Sequence, residues 1–302
     1  MKTNKVALLL LKIVVSALSL YLIFSRSDIG HVYALMKQIG PFYMSAAALL
    51  YVISQVGSTY RWKLLLPDKF TVRRLFSLYM IGSFFNTFLP GAVGGDFVKA
   101  YYLNKDAKKL SLTLASIFMD RYLGFVSLMI IGIVTFPFVS GFMAGSVYQW
   151  SMPVIFVSFI VASFLFFGLQ LGRRFKTVSE FYDYFVTFSA RKSVLVKAVV
   201  WSLVIQMIGF SAVALLAFAI GVNIPLYVFL AFLPIIVTIT TIPISISGIG
   251  LRENGFAILL GLLGVKQEVA IAISLSWFFS TFLGSLPGLV AYIRQSNRAK
   301  AL

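Results

Sequence analysis

The sequence contains no cysteine, a single histidine and only nine acidic residues among 302. Without cysteine there is no disulfide and no thiolate metal site, and redox chemistry says nothing about compartment. His31, alone and in a loop, argues against a Ser-His-Asp triad or a histidine metal centre. Charge of either sign is scarce. Only 12% of residues are charged and 60% are hydrophobic, with a mean hydropathy of +0.95. These values exclude a soluble domain and a disordered chain and leave a polytopic helical membrane protein. The shortage of acids gives a net charge of +17. Because Lys and Arg sit in short clusters between apolar segments, with no basic domain large enough to hold a duplex, nucleic acid is not an expected partner. No cofactor is implied.

Eight apolar runs are present, at roughly 6–24, 41–60, 72–89, 112–136, 151–171, 194–220, 226–242 and 268–293. Most approach the ~20 residues that cross hydrocarbon. The first, behind Lys2 and Lys5, reads as a retained helix and not as a cleaved signal. Basic clusters occur at the amino terminus, 61–74, 99–109, 172–197 and the carboxyl tail, whereas 137–150 and 221–225 carry no charge. If every run crossed once, 61–74 and 99–109 would fall on opposite sides of the membrane, against the rule that basic loops stay cytoplasmic. The pattern is satisfied if 72–110 and 226–265 are re-entrant hairpins that enter from opposite faces.

The expected fold is therefore an all-α polytopic membrane protein of about six full spans and two re-entrant hairpins. It forms one membrane domain, 1–302, built as an inverted-topology repeat of 1–138 and 139–302, with both termini cytoplasmic and the cell membrane as its location. Residues 172–193 read as an amphipathic surface link.

Two similar interruptions mark the hairpins. Thr240 to Glu253 contains Pro243, Gly248, Gly250, Arg252 and Glu253; Thr87 to Asp96 contains Pro90, Gly94, Gly95 and Asp96. In both, Thr stands three residues before the proline and Gly five after it, and the prolines lie half the chain length apart. Backbone freed by such a break needs partners, so both are expected to face one protein-lined cavity near the midplane. Helices starting after the glycines would point unpaired N–H groups at an anion such as phosphate, and Arg252 adds a planar fork. Arg252 is the leading candidate for holding that phosphate.

Asp120-Arg121 lies inside the run 112–136, where each charge costs roughly 2.5–3.5 kcal/mol on insertion scales. Two readings stand open: a pair that neutralises itself or ties to Asp96 or Glu253, and a headgroup contact through Arg121. Arg61-Trp62-Lys63 reads as an interfacial anchor, with Arg61 also a candidate for lipid contact. Tyr101 and Tyr102 read as belt residues.

In Arg61-Trp62, Pro90 with Gly94-Gly95-Asp96, Asp120-Arg121, and Pro243 with Gly248, Gly250, Arg252 and Glu253, the chain resembles the lysylphosphatidylglycerol synthase transmembrane-region family. This family of flippase-like proteins includes the membrane half of multiple peptide resistance factors. The resemblance covers nearly the whole chain and implies transbilayer movement of a lipid with a phosphate-bearing headgroup, an aminoacyl phospholipid or a polyprenyl-linked sugar. Because the sequence ends at Leu302 without the soluble aminoacyl-transfer domain of fused members, it is expected not to be an enzyme. The expected partners are an anionic or polyprenyl-phosphate lipid and the membrane. The alternatives kept open are an accessory role beside a glycosyltransferase or synthase, transferase chemistry of its own, and homo-oligomers.

Overall fold

A computed structural model describes residues 27–88, 94–170, 173–242, 245 and 247–300, with Val14, Leu18, Ser19, Tyr21 and Ser25. Pro90, Pro243 and nearly all of the expected first span lie outside the described residues. Every regular element among those described is helical. Asp28 caps α1 (Ile29–Gln38) by accepting the His31 N–H at 3.1 Å. Gly40, at φ +69°, then turns the chain by 79° into α2 (Gly40–Leu64), a bend that a residue with a side chain would resist.

Next come α3 (Val72–Phe88), α4 (Gly94–Ala107) and α5 (Leu110–Thr135). Short turns lead to α6 (Ser151–Ser163), which continues as a π-turn over Phe164–Gly168. The remaining helices are α7 (Lys176–Ala190), α8 (Lys192–Ala219), α9 (Leu226–Thr241), α10 (Leu251–Gly261) and α11 (Gln267–Lys300).

Four helical stretches are long and apolar enough to cross a membrane: Leu110–Phe138, Val147–Gly168, Lys192–Ala219 and Gln267–Asn297; the bent pair α1–α2 makes a fifth. Neither expected hairpin is among them. At about 1.5 Å per residue, the 14-residue α4 and the 11-residue α10 fall well short of a ~30 Å hydrocarbon core. α9 is apolar on all sides, and its stretch Val228–Ile236 is buried throughout, so protein and not lipid surrounds it.

The crossing helices differ in position. Half of the most apolar window of Leu110–Phe138 is buried, against 6% for Val147–Gly168, so α5 is central and α6 peripheral. Outward-facing Val154, Val157, Ile160, Val161 and Phe164 give α6 an apolar surface suited to lipid.

Two apolar clusters fill the interior. The larger joins α1, α2, α5, α8, α9, α10 and α11; the smaller gathers Trp62, Leu66, Leu75, Leu103, Leu123 and Phe188 near the basic loops. α7 caps the second cluster as an amphipathic helix lying on it. Phe181 packs edge-on against Phe118, the Tyr182 hydroxyl donates to the Phe166 carbonyl in the π-turn, and Tyr184 donates to the Leu65 carbonyl.

Candidate functional site

The site is built on the approach of α3 to α4. A Cβ on Gly95 would lie 1.8 Å from the Gly82 carbonyl oxygen, so only glycine lets these two backbones touch. The Gly95 N–H, among the unpaired donors of the first turn of α4, is taken by Asn86 Oδ1 at 2.7 Å. This clasp fixes the start of α4 and turns Asp96 and Lys99, three residues apart on one face, toward α5.

Five charged side chains meet there. Arg61 from α2 donates to Asp120 from α5 at 2.9 Å and to Ser202 from α8 at 2.9 Å, joining three crossing helices. The Tyr79 hydroxyl donates to the second Asp120 oxygen at 2.7 Å. Lys99 Nζ stands 3.7 Å from a carboxylate oxygen of both Asp96 and Asp120, over the rings of Trp62 and Tyr79 at 4.4 and 4.2 Å. Two negative charges and two π faces make a cage suited to an ammonium. Arg121 grips Asp96 through two donors, Nε at 2.7 Å and Nη2 at 3.2 Å.

Burial divides these cations. The Arg61 and Lys99 side chains are 6% and 2% exposed, whereas Arg121 is 43% exposed. The first two are enclosed in the protein. Arg121 reaches an opening.

All five groups line one cavity of about 540 Å³, large enough for a lipid headgroup. Its walls include Asn86 of α3 and Asp96 of α4, on either side of the first interruption, and Val237 and Thr241 of α9, before the second. Both interrupted segments therefore contribute to the same space. They also touch each other: Ser247 Oγ donates toward the Asn86 and Thr87 carbonyls, at 3.1 and 3.2 Å. The exposed lining residues are Phe97 of α4 with Leu114 and Arg121 of α5, which places the mouth on that side. One turn further along, Tyr101 and Leu110 extend the apolar rim outward.

The expected site residues are not all brought together. Asp96, Asp120, Arg121 and Arg61 line the cavity, while Gly94 and Gly95 form the start of α4 beside it. Arg252 and Glu253 do not line it. Their side chains are buried as a pair, Arg252 giving Nη2 and Nε to Glu253 Oε1 at 2.7 and 3.0 Å and Nε also to Ser274 at 3.1 Å. The other Glu253 oxygen caps the Gly250 N–H at 2.7 Å, as an N3 glutamate does. The helix start expected to bind an anion is thus occupied by the chain's own carboxylate. Gly248 and Gly250 have φ of +76° and +86°, so the turn into α10 requires glycine.

Two local expectations change, for Arg61-Trp62 and for Lys99, and one pair of open readings narrows. Arg61 and Trp62 are interior residues and not an interfacial anchor; of that triplet only Lys63 reaches the surface, beside Asp68 at 3.5 Å. For Asp120-Arg121 the tie to Asp96 is the expected alternative that the geometry shows: adjacent helical residues diverge by about 100°, so the two do not pair with each other and Arg121 reaches Asp96. Lys99 belongs to the interior and not to a basic loop. Neither Lys99 nor Tyr79 is among the expected site residues; the i,i+3 spacing of Asp96 and Lys99 is a sequence signal for the lysine, and none marks the tyrosine.

The family model described as Lysylphosphatidylglycerol synthase TM region matches residues 9–288. The chain belongs to that family. Matched residues run through both interrupted segments and all five cavity charges. A curated relative described as a UPF0104 membrane protein, from Methanothermobacter thermautotrophicus, is 22% identical over 319 residues, covering 92% of this chain and 90% of the relative. No solved structure matches the chain.

Proposed function

We propose that this protein is a translocase that carries a lipid with a phosphate-bearing headgroup across the cell membrane. The observation that carries the reading is the amphipathic cavity: charged side chains inside, half-exposed Arg121 at the mouth, and Phe97 and Leu114 exposed on the rim. A soluble anion would need only the charged interior. An apolar rim opening sideways suits a molecule whose head enters while its tail stays in lipid. Arg121 holds the phosphate through its fork, and Asp96 occupies that fork until the lipid arrives.

The proposed topology follows the charge pattern: six spans and two hairpins in inverted halves, both termini cytoplasmic, 137–150 and 221–225 outside. It is supported by the short α4 and α10, by the burial of α9, and by the Ser247 contact between the two interrupted segments. The sixth crossing rests on the apolar run 6–24 of the sequence, nearly all of it outside the described residues. The two hairpins then form opposite gates of one cavity, the arrangement through which inverted repeats alternate access.

A transferase reading is less well supported, since both cavity carboxylates are held in charge-assisted bonds by arginine and neither is placed as a base. Scrambling of fluorescent lipid in proteoliposomes made with this chain alone tests the proposal. Movement is expected; a purified, folded protein that moves no lipid would favour the accessory role beside a synthase.

A further inference from the structure

The cavity has a definite charge. Arg61, Lys99 and Arg121 face it with Asp96 and Asp120, three cations against two carboxylates. All nine acidic residues of the chain are described. Asp68, Asp106, Asp183 and Glu253 pair with other cations, and Asp28, Glu180 and Glu268 lie off the cavity wall. No further Asp or Glu side chain lines the cavity to balance the third cation. The excess of one positive charge sits among buried helices, where screening is weak and a charge mismatch acts strongly.

Resting on the reading above, that the cavity takes a lipid headgroup, we propose that it selects a headgroup with one net negative charge, a phosphodiester, and rejects zwitterionic and net-cationic heads. A diester bound at Arg121 brings the cavity to neutrality. A phosphomonoester, with its charge of about −1.5 to −2 near neutral pH, overshoots. A phosphocholine head leaves the excess untouched. A lysyl-modified phosphatidylglycerol, net cationic, adds to it, so of the two lipid classes compatible with the family the aminoacylated one is disfavoured. Glycerolipid diesters and polyprenyl phosphosugars share the favoured chemistry.

The arrangement also explains how exchange avoids stranding a charge. When phosphate displaces Asp96 from Arg121, Lys99, already 3.7 Å from Asp96, is in place to hold the released carboxylate. Asp96 is thus a tethered stand-in for the lipid's phosphate.

The test is competition for a short-chain fluorescent phosphatidylglycerol bound to the purified full chain in uncharged detergent. Competitors are short-chain phosphatidylglycerol, phosphatidylcholine, phosphatidic acid, lysyl-phosphatidylglycerol and a polyprenyl phosphosugar. The wild type should prefer the diesters over phosphatidylcholine by about ten-fold, with the lysyl lipid weaker still. Lys99→Gln, which removes the excess charge, should bring the phosphatidylglycerol-to-phosphatidylcholine ratio toward one. Asp96→Asn, isosteric and adding one positive charge, should move the preference toward phosphatidic acid, and serves if the lysine variant does not fold. Competition by only one of the two diester classes supports the proposal and names the source. Equal competition by all headgroups, abolished by Arg121→Ala, overturns charge selection while leaving the cavity as the lipid site. Competition unaffected by Arg121→Ala overturns both.

Discussion

Arg61 of α2 and Arg121 of α5 line the same cavity, yet their removal should have unequal consequences. Arg61→Ala strips Asp120, whose side chain is 0% exposed, of its closest cation and leaves Ser202 without that donor. Breaking a buried pair by deleting one partner costs about 3–5 kcal/mol. Because Tyr79 and Lys99 still contact Asp120, the lower end, ~3 kcal/mol, is expected. Arg121 is 43% exposed and Lys99 Nζ, 3.7 Å from Asp96, stays beside the carboxylate that Arg121→Ala releases, so this change should cost less than Arg61→Ala, below the ~3 kcal/mol end of the buried-pair range. Thermal unfolding in detergent, read beside monodisperse yield, checks the contrast. Arg61→Ala should unfold many degrees lower and Arg121→Ala closer to wild type, and Arg61→Ala/Asp120→Ala should cost less than the sum of its singles because no charge is stranded. Equal shifts for the two arginine variants would refute the division into a holding and a binding arginine.

Further outcomes follow from the same geometry. Gly95→Ala should destabilise at or beyond the top of the ~1–3 kcal/mol overpacking range, since its Cβ meets the Gly82 carbonyl at 1.8 Å, whereas Gly141→Ala, with nothing within 4 Å, should stay within about 0.5 kcal/mol by the same unfolding assay. Cysteines at Thr87 and Ser247, in a background that has none, should cross-link with a short bifunctional thiol reagent because Ser247 touches the Thr87 carbonyl; absence of the cross-link contradicts contact between the interrupted segments. Single cysteines at Lys108 and Ser140 should label from opposite sides of sealed cells, and labelling from the same side would sink the re-entrant topology. Arg252→Ala should lower thermal stability by about 3–5 kcal/mol, as a broken buried pair does, and Arg252→Lys should recover only part of it because the fork is lost.

The sequence announced the helices and their interruptions more clearly than the wiring of the charges. Apolar runs near membrane length are read from composition alone, and α5, α8 and α11 fall where they predict. Prolines and glycines likewise mark the ends of α3 and α9, because few other residues tolerate such breaks. Pairing is a different matter. Arg61–Asp120 and Arg121–Asp96 join residues on different helices, and a single sequence fixes neither the rotation of those helices nor their neighbours. Closeness in sequence groups Lys99 with Lys105, Lys108 and Lys109 in the basic stretch 99–109. Helical rotation alone carries Lys99 inward, to 2% exposure. Its place after two glycines points to Arg252 as an anion site, but Glu253, the next residue, takes both the helix start and the guanidinium.

If lipid moves through the cavity on Arg121, transport through purified protein shows it most directly. Proteoliposomes containing the wild type, Arg121→Ala or Arg121→Lys at matched reconstitution should be compared by the initial rate at which fluorescent phosphatidylglycerol in the inner leaflet becomes accessible to an external quencher. The wild type should expose lipid well above protein-free vesicles, Arg121→Lys should be slower, and Arg121→Ala should fall to the protein-free rate while remaining folded. A folded Arg121→Ala that moves lipid as fast as the wild type would contradict the account.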